Sequence, residues 1–172
     1  MSKSKKAAFM ELYQPVHENF ERFCRARVYG DTDFKDLMHD TIVIAFEKFD
    51  RLEDPKAFLH FLFGISIRVL ANTNRKQRLV HVTDEAQTIP DESMRADRNE
   101  DVEILYRALS QLPEAQREAI VLFEISGFSI QEISELQQSG LSAVKQRLVR
   151  GRQALLKLLQ EPEFASKKET SV

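Results

Sequence analysis

Apolar residues recur at spacings of three and four along nearly the whole chain, and that period suits helices and little else. Phe34, Leu37, Met38, Thr41, Ile42, Ala45, Phe46 and Phe49 form one such seam. Phe58, Phe61, Leu62, Ile65 and Val69 form a second, widened by Leu59, Phe63 and Leu70. Both follow the α-helical repeat of about 3.6 residues, and strand-like alternation is absent. With only 5 glycines in 172 residues, the expected fold class is all-α. The chain is long enough for two small helical domains. Turn residues break the pattern at Tyr29-Gly30-Asp31-Thr32-Asp33 and at Asp50-Arg51-Leu52-Glu53-Asp54-Pro55. From about residue 79, Thr, Asp, Glu, Pro and Arg mix without any period, as in a solvated linker. The boundaries expected are a helical domain over 8–80, a flexible acidic linker over 81–101, a second helical domain over 102–160 and a disordered tail over 161–172.

The formal charge of −2 conceals segregation along the chain. Between residues 56 and 78 the charged side chains are Lys56, Arg68, Arg75, Lys76 and Arg78, all basic. The next stretch is acidic, with Asp84, Glu85, Asp91, Glu92, Asp97, Glu100, Asp101 and Glu103 against Arg95 and Arg98. No acidic residue lies between Glu135 and Glu161. The single cysteine, Cys24, excludes an intramolecular disulfide, and no Cys/His cluster has zinc-ligand spacing. Cys24 lies in a helical pattern with Phe20, Phe23 and Val28, which predicts a buried thiol. The amino terminus lacks the apolar core of a signal peptide, and no apolar run approaches the roughly 18 residues of a membrane span. These features predict a soluble cytoplasmic protein without metal or cofactor. No nucleophile paired with a base suggests catalysis, and His39 beside Asp36 and Asp40 is too sparse a set for a metal or an acid–base pair.

The last third carries the most specific pattern. Ser129 with Glu132 three residues on makes a capping box before Ile130, Ile133 and Leu136. A turn follows near Gln138, Ser139 and Gly140. The next helix places Leu141, Val144, Leu148, Leu155 and Leu158 on one inward stripe, leaving Ser142, Ala143, Gln146, Arg150 and Gln153 opposite. Lys145 and Arg152 border that face on one side and Arg147 on the other. Basic groups outside and hydrogen-bonding groups at the centre suit a helix in the DNA major groove, with phosphate clamps flanking base readers.

The first domain offers two further faces. The helix beginning near residue 33 turns Asp36, His39, Asp40, Val43 and Glu47 away from its seam, either as ordinary solvated surface or as a docking surface for a basic protein helix. The helix from residue 56 carries Arg68, Arg75, Lys76 and Arg78 on an aromatic-rich body, which suits phosphates or a single strand.

Three stretches, in order, resemble the extracytoplasmic-function sigma factors of the sigma-70 superfamily. DFKDLMHDTIVIAFEKFD resembles region 2.2, KAFLHFLFGISIRVLANTNRKQR resembles regions 2.3 and 2.4, and LSQLPEAQREAIVLFEISGFSIQEISELQQSGLSAVKQRLVRGRQALLKL resembles region 4. The resemblance implies a region 2 bundle of three to four helices and a region 4 helix-turn-helix. It implies as partners core RNA polymerase, through the β′ clamp helices and β flap, promoter DNA and an anti-sigma factor. Asp36, Leu37, His39, Asp40, Val43 and Glu47 would meet polymerase. The loop from Phe49 to Phe58 would capture a base flipped from the −10 element, while Phe61, Arg68, Asn72, Arg75, Lys76 and Arg78 would hold the melted strand. Ser142, Ala143, Lys145, Gln146, Arg147, Val149, Arg150 and Arg152 would face the −35 duplex. A stand-alone helix-turn-helix regulator that never opens DNA is the alternative. Three positions depart from the usual pattern: Phe61 stands in place of Trp, Arg68 in place of Asn, and Gln138 in place of the glycine of the region 4 turn. With Gly140 two residues later, a shifted turn is expected.

Overall fold

A computed structural model describes residues 4–28, 33–80 and 99–164 of the chain. The break at 29–32, most of the expected linker (81–98) and the tail from 165 lie outside the described residues. Helices and short helical turns make up the described residues, with no strand among them. They divide into two compact units, one of residues 4–24 and 33–80, the other of residues 25–28 and 99–164.

In the first unit, α1 (Lys5–Tyr13) begins three residues before the expected boundary because the Ser4 hydroxyl accepts the Ala7 amide at 3.3 Å. A 3₁₀ turn at Gln14–Val16 carries Pro15 at its start, where a missing N–H costs nothing, and leads into α2 (His17–Arg27). Helix α3 (Phe34–Glu47) is capped by Asp33, whose carboxylate accepts the Lys35 amide at 2.9 Å. Two 3₁₀ turns, Phe49–Arg51 and Pro55–Ala57, join it to α4 (Phe58–Val80). Phe20 and Phe23 of α2 and Phe63 of α4 are completely buried, with the Phe23 and Phe63 rings 4.4 Å apart. Phe9 packs edge-on against Phe46, Phe49 and Phe58, with centroids 5.3–5.4 Å apart. The centre of α4's buried face therefore differs from the predicted stripe. Phe63 lies at the centre, and Phe61 is only half-buried, because the α2 rings approach α4 from the Phe63 side. Cys24 is buried, as expected.

The second unit starts earlier than predicted. Asn99 caps α5 (Glu100–Ser110) by accepting the Asp101 amide at 3.2 Å, and Glu100, Asp101 and Glu103 lie in the first turn, where the helix dipole favours carboxylates. Glu100 and Asp101 thus belong to a helix, with Asn99 as its cap, and not to the linker. Helix α6 (Glu114–Ile120) follows Pro113 and runs on as a π-helical turn, Val121–Ile125. Then come α7 (Ile130–Leu136) and α8 (Leu141–Leu159). Leu109, Leu122, Ile133 and Val144 are among the fully buried side chains at the centre. A 3₁₀ turn at Pro162–Phe164 corrects the expectation of disorder from residue 161. Phe164 is 4% exposed, the Arg107 guanidinium lies 5.0 Å from its ring centroid, and Arg107 Nη2 donates to the Glu163 carbonyl at 2.8 Å. Together these contacts fix residues 162–164.

Candidate nucleic-acid interface

Local chemistry sets the α7–turn–α8 unit. The capping box forms as the sequence predicts: the Ser129 hydroxyl accepts the Glu132 amide at 3.2 Å, and the Glu132 carboxylate accepts the Ser129 amide at 2.7 Å. Gln138 adopts φ 49°, the left-handed conformation that a glycine would take without strain. The turn is therefore not displaced toward Gly140, as Gln138 supplies the left-handed residue itself. Gly140 instead is the N-cap of α8, with extended backbone, so α8 begins at Leu141.

Val144 and Leu148 of the predicted inward stripe are buried and Leu155 and Leu158 half-buried, whereas Leu141 is exposed at the helix start. Gly151, a residue the sequence pattern does not single out, is buried too. A Cβ built on it would lie 3.0 Å from Ile120 Cγ1, so glycine lets α8 approach α6 closely.

The outward face of α8 exposes Ser142, Lys145, Gln146, Val149, Arg150 and Gln153, with Ala143 half-buried. At 100° per residue, Ser142, Lys145, Gln146, Val149 and Gln153 fall within roughly a 100° arc, with Arg150 just beside it. Val149 is 52% exposed, so an apolar group stands among the hydrogen-bonding ones. Two basic residues assigned to the flanks are engaged elsewhere. Arg147 Nη1 donates to Gln137 Oε1 at 2.8 Å and to Ser139 Oγ at 2.9 Å. Arg152 pairs with Glu124 at 2.6 Å and stacks 5.2 Å from the centroid of Phe123. The sequence could not reveal these partners, since Glu124 lies 28 residues from Arg152 and Gln137 reads as ordinary turn surface.

In the first unit, α4 exposes Arg68, Asn72, Arg75 and Lys76, which share one side of the helix with half-buried Phe61. Arg78 lies within α4, but its side chain is outside the described residues. The loop before α4 holds Phe49 half-buried, with Asp50 paired to Lys5 at 2.6 Å. On α3, Asp36, His39, Asp40, Val43 and Glu47 are exposed. Leu37 is not: at 3% exposure it is core, because its position falls on the apolar seam with Phe34 and Thr41. Its inclusion among docking residues is corrected accordingly. Among the described residues no group of three or more His, Cys, Asp or Glu could hold a metal ion, and no helix is long and apolar enough to cross a membrane.

Residues 102–155, from α5 to near the end of α8, match the sigma-70 region 4 family. The RNA polymerase sigma factor NccH of Alcaligenes xylosoxydans xylosoxydans is 28% identical over 166 residues, covering 91% of this chain and 89% of that protein. Along most of its length the chain is thus similar to RNA polymerase sigma factors, with sigma-70 region 4 matched in its last third. The ECF RNA polymerase sigma factor SigX of Bacillus subtilis is 28% identical over 162 residues, spanning 87% of this chain and 82% of its relative. Among solved structures, the sigma factor RpoE of Bartonella quintana, crystallised with the anti-sigma factor NepR, matches with a TM-score of 0.71 at 25% identity. That match covers 89% of this chain and 99% of the RpoE chain. CnrH, in complex with the cytosolic domain of CnrY, matches with a TM-score of 0.63 at 26% identity, covering 90% and 88% of the two chains.

Proposed function

We propose that this chain is a sigma factor that binds core RNA polymerase in the cytoplasm and directs promoter-specific initiation. The second unit reads the −35 duplex and the first unit holds the melted −10 strand. The observation that carries the reading is the exposed strip of α8, where Ser142, Gln146 and Val149 stand between Lys145 and Arg150 on a helix set by the capped α7 and its turn. Donors and an apolar group at the centre suit base edges, and the cations suit phosphates. On α4, Arg68, Asn72, Arg75 and Lys76 form the corresponding strand-holding surface beside Phe61, whose ring offers a stacking face. The exposed Asp36, His39, Asp40, Val43 and Glu47 of α3 are the surface for the polymerase clamp helices, a second contact falling to the β flap. Nucleotide chemistry stays with the polymerase. An anti-sigma factor completes the set of partners, as in the structures of RpoE with NepR and CnrH with CnrY.

A stand-alone helix-turn-helix regulator would need only the second unit, yet the relatives align across both. The test is run-off transcription with core polymerase and a promoter library. Specific transcripts that depend on the protein are expected; duplex binding without them would sink the initiation reading. Within that assay, Arg150→Ala should relax discrimination at the upstream element by about 1–3 kcal/mol if Arg150 reads a base, or weaken all sequences evenly if it holds phosphate. No effect of either kind would mean the recognition face is misplaced.

A further inference from the structure

We propose that Arg147 is a positioning residue: a brace that locks the turn before α8, and not a phosphate contact. The proposal rests on the reading of α8 as the recognition helix. One guanidinium nitrogen, Nη1, donates both to Gln137 Oε1 at 2.8 Å and to Ser139 Oγ at 2.9 Å. These are the two residues on either side of Gln138, whose backbone is left-handed. Arg147 thus clasps the turn across its strained residue.

Both acceptors are held in turn. Gln137 Nε2 donates to Glu118 Oε1 at 3.0 Å and to the Ala115 carbonyl at 3.1 Å, which ties the turn to α6. An amide has one acceptor end and one donor end, so a guanidinium on one side and a carboxylate on the other fix its orientation. Glu118 is itself buried, and its Oε2 takes the Arg27 guanidinium at 3.0 Å. The Ser139 hydroxyl also donates to the Gln137 carbonyl at 3.1 Å, while the Ser139 amide and carbonyl bond to Ser134 at 3.0 and 2.6 Å. Half-buried Arg147 would have to give up two charge-assisted bonds to reach a phosphate. Lys145 and Arg150 are exposed and, among the described residues, make no ion pair, so the phosphate work falls to them. The consequence of the brace is geometric. It sets the direction in which α8 leaves α7, and a reading helix misplaced by about 1 Å loses much of what its side chains can do.

The experiment uses the full-length chain and a duplex promoter fragment selected by the holoenzyme from a random library, with affinity followed against salt. Removing one phosphate contact lowers the slope of log K against log salt by about 0.9, whereas removing a brace weakens binding and leaves the slope alone. Lys145→Ala should reduce the slope by that amount. Arg147→Ala should weaken binding on the order of tenfold at every salt concentration with the slope unchanged. Gln137→Ala should do the same, and the double variant should be no weaker than the weaker single, because the two residues act as one unit. Amide exchange supplies a readout without DNA: in Arg147→Ala the Ser139 amide should exchange on the order of tenfold faster, while the amides of Val121 and Leu122 keep their protection. A slope lowered by about 0.9 in Arg147→Ala, additive losses in the double variant, or an unchanged Ser139 exchange rate would each overturn the proposal. If Lys145→Ala leaves the slope intact and the wild type does not discriminate the element, the recognition-helix reading fails, and exchange at Ser139 still decides the brace.

Discussion

Gln138 holds the left-handed backbone that its turn demands, with φ 49°, and among the described residues no other non-glycine does so. An L-residue in that region costs about 1–2 kcal/mol, partly recovered because glycine loses more chain entropy on folding. Gln138→Gly should therefore raise stability by about 0.5–1 kcal/mol in urea unfolding; a loss would mean that the side chain supports the turn in another way. Tyr13 is a second residue whose surroundings make a measurable demand. Burial, with smaller contributions from Cys24 and Glu21, pushes its phenol up to about 12, and its Oη shares a 2.9 Å hydrogen bond with His17 Nδ1. Above pH 10 the unfolded chain releases the phenolic proton while the folded chain keeps it. Stability is therefore lost as pH rises from about 10 to 12. Tyr13→Phe should flatten that part of the stability curve relative to the wild type, and an equal slope in both proteins would contradict the raised value.

Helices that could be foreseen are those whose ends are signalled within a few residues. Ser129 and Glu132 announce α7, and the apolar repeat from Phe34 announces α3, down to the buried Thr41. Features that depend on a distant partner were hidden. The run from Glu114 to Ile125 is so uniformly helical in pattern that nothing marks where the α-helix gives way to the π turn at Val121. Gly151 looks like a neutral position on α8 until Ile120 is placed against it, and Phe61 and Phe63 trade roles once the α2 rings arrive. The same holds for the site. The exposed strip on α8 follows from its period alone, whereas the bonds that occupy Arg147 and Arg152 join residues 10 and 28 positions apart. The close approach of α6 and α8 has a direct test. Gly151→Val drives methyl groups into Ile120 and should cost about 1–3 kcal/mol in thermal or urea unfolding; a neutral outcome would mean that the two helices can part without penalty.

Across the whole molecule, a chain of net charge −2 presents exposed cations on both of the faces proposed to meet DNA. Arg75 and Lys76 are exposed on α4, Lys145 and Arg150 on α8. Each phosphate neutralised adds about 0.9 to the salt slope on duplex and about 0.7 on a single strand. Replacing all four by alanine should lower the slope of holoenzyme promoter binding by roughly 3. A change near zero would show that these cations do not meet DNA. Both the helical class and this alternation of charge were visible in the sequence, because each is a property of neighbouring residues. At the other extreme of accessibility stands Cys24, the chain's one cysteine, which is completely sealed in the first unit. With its sulfur out of reach, this thiol is closed to oxidants and alkylating reagents in the folded protein, so labelling at Cys24 must wait for that unit to breathe. The rate at which a reagent reaches this thiol thus reports how far the first unit opens in solution.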